Sequence, residues 1–494
     1  MKVLLINPEF PDTYWSFRHA LPFEGKRCAF PPLGLLTVSA MLPKSWERRL
    51  VDMNVRTLKE SDIEWADIVF ATAMLVQKDS LRKAVKRCKA RGKRVVLGGP
   101  YVTTTIEDLP DADHIFMGEA ETTLPEFLLD LEQGEAKRFY KAAERPPLSI
   151  TPVADFHLAE MKRYSAMAIQ YSRGCPFSCE FCDIIEIYGR VPRTKSNQQV
   201  LTELDALRDL GWRGTVFIVD DNFIGNKKNV RQLLPELARW QEENGHPFSL
   251  LTEASVNLAD DEQLLDNMRE AGFRRVFLGI ETPVQESLKE AQKSQNRGNL
   301  VESVKRIQSY GMEVMGGFIV GFDNDPEDIF ERQINFIRES AIPLAMVGLL
   351  NALPDTQLWK RLEREGRLLG EATGNNTECS FNFRTKMDPA RLIAGYQRIM
   401  RTIYSPAEYY QRALDSMKRT QRSGPEPEQY ELLSSIATLL RIGIRLGVLD
   451  RERREFWRFL GRTARRHRLK LAESLRLAAM GYHFRKLAEV YGAN

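Results

Sequence analysis

The stretch YSRGCPFSCEFC, residues 171–182, holds Cys175, Cys179 and Cys182 in a CxxxCxxC array. Gly174 and Pro176 bracket the first thiol and favour the tight turn that three thiolates need in order to converge. Iron–sulfur cubanes normally take four thiolates, and a closed structural zinc site also takes four ligands. No fourth cysteine and no histidine stands close by. A cubane held by three cysteines leaves one iron open to bind something small, and that open iron gives the spacing its chemical point. The competing readings are a zinc knuckle or three incidental buried thiols. Zinc motifs usually come as paired CxxC units, and no second unit is present.

At this motif the sequence resembles the radical S-adenosylmethionine (AdoMet) superfamily, whose signature is CxxxCxxC with an aromatic residue just before the last cysteine, here Phe181. The resemblance implies a [4Fe–4S] cluster on Cys175, Cys179 and Cys182, with its open iron chelating the amino and carboxylate groups of AdoMet. It also implies that Phe181 belongs to the AdoMet site.

Upstream, over residues 1–140, short apolar runs alternate with helical stretches. KVLLIN (2–7) precedes a helix opened by Pro31-Pro32 and running through LGLLTVSAML. RRLVDMN (48–54), DIVFATAM (67–74), an amphipathic helix near 79–92, RVVLGGP (94–100), HIFMGEAE (114–121) and a helix near 122–133 complete the unit. Continuous apolar strands between helices predict a parallel sheet covered on both faces. Ligands of such sheets sit beyond the carboxyl ends of the strands, which here carry Pro8, Asp52 to Asn54, Ala73-Met74, Gly98-Gly99-Pro100 and Gly118-Glu119. Glycines there let backbone approach a bulky ligand. No GxGxxG is present, which disfavours a dinucleotide. With NPEF, PPLGLL, GGPYVT and MGEAE, the region resembles the cobalamin-binding domain found ahead of many radical AdoMet cores. That resemblance implies a Rossmann-like domain in which Asn54, Met74, Gly98, Gly99, Pro100, Gly118 and Glu119 line a corrinoid. Asn54 stands where a DxHxxG motif would place the cobalt-ligating histidine, so the implied cobalamin is base-off, without a histidine ligand. A flavodoxin-like domain with no ligand is the alternative.

A proline-rich connector within residues 141–164 leads to the cluster strand. Over 165–365 the alternation resumes with GTVFIVDDNF (214–223), FSLLTEASV (248–256), RRVFLGIET (274–282), MEVMGGFIVGF (312–322) and IPLAMVGLL (342–350). Helices are expected near 197–209, 228–243, 261–271, 284–290, 297–310 and 326–339. This spacing predicts an α/β fold with a partial (β/α) barrel and function at the carboxyl ends of its strands. Asp220-Asp221-Asn222, Glu253 and Glu281 lie at or near such ends, although a strand-end carboxylate is often only a helix N-cap. By resemblance, Gly317, Ile319 and Gly321 form the GxIxG element that positions adenine. Asn222 belongs to the same AdoMet site, and Glu253 is where ribose or the aminocarboxylate is held.

Residues 366–494 read as a mainly helical extension. Its KMDP…GY…RTIYSP…YY pattern, with VDDNFIGN, EASVNLAD, GIETP and LLNALPDTQLW in the core, resembles the branch of cobalamin-dependent radical AdoMet enzymes that carries a DUF4070-like extension. That branch includes hopanoid C-2 methylases and bacteriochlorophyll side-chain methylases. The stretch 441–494 is rich in arginine interleaved with Phe456, Trp457, Phe459 and Leu460. Such a helix lies on an anionic membrane, packs on its own protein, or binds RNA, and no TRAM-like pattern supports the last.

The chain has 494 residues, enough for roughly three domains, with 43% apolar residues and a net charge of +4. The near balance announces no nucleic-acid partner. Six cysteines in this length make no disulfide framework, and Cys28, Cys88 and Cys379 read as small core residues. No signal peptide or spanning segment is apparent, and a reducing cytoplasm suits an oxygen-sensitive cluster. The resemblance implies methylation of an unactivated carbon of a small hydrophobic substrate, a hopanoid-like lipid before a tetrapyrrole. Partners would be a flavodoxin or ferredoxin as electron donor and peripheral membrane contact through the basic helices. A radical cyclase or rearrangement enzyme, and a corrinoid-binding protein without turnover, are the alternatives. Methylthiotransfer to tRNA would ordinarily bring three further cluster cysteines and a TRAM module, which are absent.

Overall fold

The computed structural model describes residues 1–105, 109–420, 432–466 and 470–491. The first sheet contains β1 (Lys2–Asn7), β2 (Glu47–Asp52), β3 (Ile68–Thr72), β4 (Arg94–Gly98), β5 (His114–Met117) and β6 (Phe139–Lys141), all parallel, in the order 2-1-3-4-5-6. Alternate residues of each strand go to opposite faces. Leu4, Ile6, Val69, Ala71, Val95 and Leu97 build one core, while Val3, Leu5, Ile68, Phe70 and Val96 build the other. This is why the strands read as unbroken apolar runs. The edge strand β6 buries only Tyr140, so no run announced it.

Gly99, just after β4, has φ +96° and ψ −179°, a conformation essentially restricted to glycine. A methyl group here would run into the Thr72 hydroxyl, so the ends of β3 and β4 meet through bare backbone.

The second sheet opens with β7 (Ala166–Ile169). A short antiparallel pair, β8 (Ser172–Arg173) and β9 (Arg193–Thr194), then encloses the cysteine loop. β10 (Gly214–Ile218), β11 (Phe248–Ala254), β12 (Phe273–Glu281), β13 (Glu313–Val320) and β14 (Leu344–Leu349) continue it. Each strand pairs in parallel with its neighbour in sequence, and β7 does not meet β14. The result is an open, six-stranded partial barrel. On β12 and β13 the partly accessible residues alternate: Arg275, Phe277 and Gly279, then Gly317 and Ile319. That period of two marks the wall facing an accessible barrel interior.

The helices Pro389–Ile403 and Pro406–Arg419 each begin with proline at the first turn, where its missing N–H costs nothing. Asp388 caps the first by accepting from Arg391 N–H at 2.8 Å. The Tyr404 hydroxyl bonds both the N–H and the carbonyl of Ala345 in β14, so the extension covers the open edge of the barrel. Phe456 and Phe459 are buried, and Phe459 stacks on Tyr410 at 4.6 Å. The aromatic side of the basic helix Arg453–Arg466 therefore packs on its own protein, and of those rings Trp457 alone stays exposed. Arg468 and Leu469 lie outside the described residues.

The terminal helix, Leu471–Tyr491, docks on the N-terminal segment through buried His483. Its Nδ1 accepts from His19 N–H at 3.4 Å and its Nε2 faces the Thr13 and Tyr14 carbonyls at 3.2 Å, an arrangement for the neutral ring. Burial, aided by His19, pushes its pKa down to about 3. The unfolded chain takes up this proton near pH 6.5, so stability is full above that pH and falls as pH drops toward 3. The loss should reach about 1.5 kcal/mol between pH 6.5 and 5. Denaturation midpoints measured across that range should decline less steeply in His483→Gln; equal slopes would mean that His483 titrates as a solvated imidazole.

Candidate active site at the mouth of the open barrel

The cysteine loop is pinned before it begins. Asp220, at the end of β10, accepts from Tyr171 N–H at 2.8 Å and from the Ser172 hydroxyl at 2.6 Å, so it ties two strands together and is no helix cap. Gly174 has φ +96°, and a Cβ there would lie 2.8 Å from the Gly189 carbonyl oxygen. Cys175 N–H donates to that same carbonyl at 3.2 Å. Cys179 is buried, Cys175 and Cys182 are half-buried, and all three are free thiols. Burial pushes the thiols of Cys175 and Cys182 up, so ionising them needs positive charge close by.

The donor set fits a cubane. Among the described residues no group of three His, Cys, Asp or Glu side chains is close enough to hold a single ion. Thiolates gripping separate corners of a cluster stand further apart than ligands of one ion, and soft sulfur donors suit iron–sulfur centres. Amide donors stand against two of the sulfurs. Asn222 Nδ2 lies 3.9 Å from Cys175 Sγ and Gln295 Nε2 lies 3.4 Å from Cys179 Sγ. Lys293 pairs with Glu281 and lies 5.7 Å from the Phe181 ring centre. Burial works against its charge, but Glu281 and the thiols of Cys179 and Cys182 outweigh it and keep the ammonium protonated. Glu281 holds φ +64°, a strained position for a side-chain-bearing residue.

Acidic side chains cluster at the ends of β10 and β11. Burial raises Asp220 to about 6. Burial with the charges of Asp220 and Asp183 raises Asp221 to about 7, and burial with the charges of Asp221 and Asp220 raises Glu253 to about 8. One Asp221 oxygen has no hydrogen-bond partner. Enclosed carboxylates held this close to neutrality favour a cationic ligand, and AdoMet carries a sulfonium and an ammonium. Asn222 Oδ1 accepts from the N–H and hydroxyl of Ser255 at 3.2 and 3.3 Å, which aims its amide N–H at the cysteine side. On β13, Gly317 is pressed by Phe277, whose Cζ would lie 2.9 Å from an added Cβ. The Ile319 carbonyl accepts from Gln333 at 2.7 Å. Gly321 has φ +108°, and its N–H donates to Asp325 at 2.8 Å. The β13 end is thus held by Phe277, Gln333 and Asp325, with Gly317 and Ile319 left partly accessible.

The first sheet brings its carboxyl edge to the same place. Strand order reverses between β1 and β3, the usual ligand crevice of open parallel sheets, and Met74 lies there 53% exposed. Gly98, Gly99 and Pro100 are half-buried beside it, and Gly118 follows β5 with φ +91°. Asn54 is committed to structure: it donates to the Pro8 carbonyl at 3.1 Å and to Asp52 at 2.8 Å, and it accepts from Phe10 N–H at 2.8 Å. Asp52 also takes the Tyr164 hydroxyl at 2.9 Å, joining the first sheet to the segment before β7. Glu119 is engaged in buried ion pairs. Its carboxylate binds Arg173 at 2.5 Å and Arg193 at 2.6 Å, while Glu121 binds Arg173 at 2.8 Å. Burial would raise the Glu121 carboxyl, but Arg173 holds it below its ordinary value. These pairs clamp the end of β5 onto the β8–β9 hairpin that carries the cysteines.

Sequence reasoning passed over Lys293 and Gln295, which follow β12 by a dozen residues with no strand-end signal. It also passed over Trp15 and Phe30. Trp15 stacks on Phe217 at 6.0 Å and tilts against Phe277 at 5.3 Å, and Phe30 meets Phe217 at 5.0 Å.

A profile of the B12 binding domain matches residues 29–128, one of the radical SAM superfamily matches 169–337, and one described as a domain of unknown function, DUF4070, matches 356–493. An uncharacterised methyltransferase of Synechocystis sp. is 42% identical over 497 residues, covering 99% of this chain and 92% of that protein. Hopanoid C-2 methylase of Rhodopseudomonas palustris is 36% identical over 470 residues, covering 93% and 88%. The chain belongs to the cobalamin-dependent radical AdoMet methyltransferases. Among solved structures, the cobalamin-dependent AdoMet radical enzyme OxsB, with aqua-cobalamin and AdoMet bound, aligns over 100% of this chain and 84% of its own. Its TM-score is 0.63 at 15% identity. The methyltransferase TsrM of Kitasatospora setae aligns over 75% and 79%, with a TM-score of 0.58 at 15% identity. Both share the fold. This radical AdoMet methyltransferase uses a [4Fe–4S] cluster, AdoMet and cobalamin, and two sheets whose carboxyl edges meet give those cofactors one working space.

Proposed function

We propose that this enzyme methylates an unactivated carbon of an apolar polycyclic lipid of the hopanoid type, with a tetrapyrrole the second choice. The observation that carries the lipid reading is the ring cluster of Trp15, Phe30, Phe217 and Phe277. Trp15, Phe30 and Phe277 are half-buried, and Phe277 shares the accessible barrel wall with Gly317 and Ile319. Aromatic surface of this kind binds a flat hydrocarbon without asking it for hydrogen bonds. Hopanoid C-2 methylase of R. palustris and, at 25% identity, bacteriochlorophyllide d C-12(1)-methyltransferase of Chlorobaculum tepidum are named for a hopanoid and a tetrapyrrole, which supports these two classes.

In this reading residues 1–140 hold the corrinoid, 165–365 the cluster and AdoMet, and 366–494 close the barrel. When bound, the cluster with AdoMet supplies hydrogen-atom abstraction and the corrinoid supplies a transferable methyl group. Cys175, Cys179 and Cys182 hold iron. Phe181, Asn222, Glu253, Gly317, Ile319 and Gly321 orient AdoMet, with Asp221 and Glu253 facing its positive charges. Met74, Gly98, Gly99, Pro100 and Gly118 approach the corrinoid, while Asn54 and Glu119 act as positioning residues. The corrinoid is base-off, since asparagine stands at 54. A flavodoxin or ferredoxin delivers the electron.

The test is anaerobic incubation of reconstituted enzyme with reductant, cobalamin, AdoMet and an unmethylated hopanoid. Methylated lipid with both 5′-deoxyadenosine and S-adenosylhomocysteine is expected. 5′-Deoxyadenosine without S-adenosylhomocysteine would replace methyl transfer by a cyclisation or rearrangement.

Lys293 has a separate expected effect. Its ammonium beside Cys179 and Cys182 favours the more negative, reduced cluster. Lys293→Gln should leave iron content unchanged and lower the midpoint of an EPR-monitored redox titration by about 59 mV, tenfold in the one-electron equilibrium. An unchanged midpoint would leave Lys293 only a packing role.

A further inference from the structure

We propose that residues 436–458 form a docking surface for an anionic lipid bilayer. This deepens the lipid reading above and rests on it only for the choice of partner. The helix Leu432–Ile442 runs directly into a π-helix, Gly443–Leu449. Ile442 and Leu446 turn inward, each 2% exposed or less. On the opposite side Ile436, Leu440, Ile444 and Val448 recur every four residues, with exposures of 47, 56, 54 and 60%. Leu449 at 64% and Trp457 at 54% extend the stripe, and Trp457 is held there by its bond to the Gly447 carbonyl at 2.9 Å. A helix that is apolar on both sides needs cover on both, and a contiguous exposed apolar patch marks an interaction site.

Charge selects the partner. From Arg441 to Arg466 the chain has nine arginines against Asp450, Glu452 and Glu455, a net charge of +6, whereas the whole chain carries only +4. Arg451, Arg453 and Arg454 are exposed immediately beside Leu449 and Trp457. Apolar residues and an interfacial tryptophan bordered by arginines match a membrane whose surface is negative. Among the described residues no helix is long and apolar enough to cross a membrane, so the segment lies in the interface plane. The surface is also coupled to the site. Arg441 donates to the Phe23 carbonyl at 3.2 Å, gripping the N-terminal segment that carries Trp15 and Phe30.

The test is co-sedimentation of the full-length, anaerobically purified protein with vesicles of phosphatidylcholine alone or with equal parts phosphatidylglycerol. No substrate is added, so an error in the substrate assignment does not register here. Wild type should sediment with the anionic vesicles. Leu440→Glu with Ile444→Glu should weaken binding about tenfold or more while iron content and melting temperature stay unchanged. Arg451→Gln, Arg453→Gln and Arg454→Gln combined should remove the preference for anionic vesicles. Wild type remaining in the supernatant would overturn the proposal, as would wild-type binding by the Leu440→Glu, Ile444→Glu variant. A dimer in solution that the same variant splits, with no vesicle binding, would assign the stripe to a second copy of the chain and overturn it as well.

Discussion

Replacing Cys182 by alanine is expected to yield a folded protein that retains little cluster iron and forms no detectable 5′-deoxyadenosine. Two thiolates cannot hold a cubane against loss to solvent, and no further cysteine stands within the loop to replace the third. The fall in turnover should be at least about a thousandfold, equivalent to about 4 kcal/mol of transition-state stabilisation. Folding should survive, because Cys182 is only half-buried and its loop is held by Asp220 and by the Gly189 carbonyl. The checks are iron content, EPR of the reduced protein and AdoMet product analysis. A full cluster in Cys182→Ala would mean that another side chain serves as ligand; Asp183, next in the chain and itself raised by burial, would be the first to examine.

Glu119→Ala should be the most damaging change to the assembly of the two sheets. It strips Arg173 and Arg193 of the carboxylate they share in a setting where the Glu119 side chain is 4% exposed. Breaking a buried pair by removing one partner costs about 3–5 kcal/mol, because the remaining charges lose their compensation. Thermal denaturation should show a large drop, and Glu119→Gln, which keeps the shape and one acceptor, should recover part of it. Cobalt retention should fall only as far as stability does. If Glu119→Ala instead melted like wild type but lost cobalt, the carboxylate would be touching the corrinoid directly.

These two residues also show what could be read from the sequence. Cys182 was legible because its partners lie within eight residues, and a metal centre of this type declares itself by local spacing. The strand ends were legible too, since alternation of apolar runs and helices fixes which carboxyl ends carry Asp221, Glu253 and Gly321. Glu119 stood in a motif that placed it at the right strand end but was silent on its partners, Arg173 and Arg193, more than fifty residues away. The basic C-terminal helix was legible in its charge and not in its orientation. Phe456 and Phe459 lie inside because the neighbouring helix offers Tyr410, a fact no periodicity within the helix contains.

By itself, then, the sequence showed the three-cysteine array and the two parallel sheets in one chain, and its family resemblance implied the pairing of an AdoMet site with a corrinoid site. The first two are written in short-range spacing, where residue type and period decide the local geometry. Only the tertiary structure decided that Lys293 stands beside the cluster thiols, that Trp15 enters the barrel, and that Asn54 and Glu119 are spent on holding the sheets. It alone showed that the exposed apolar stripe lies on the helix before the arginine-rich one. Burial, charge compensation and ring stacking depend on which distant segments share a volume, and that is settled by packing the whole chain rather than by any stretch of it.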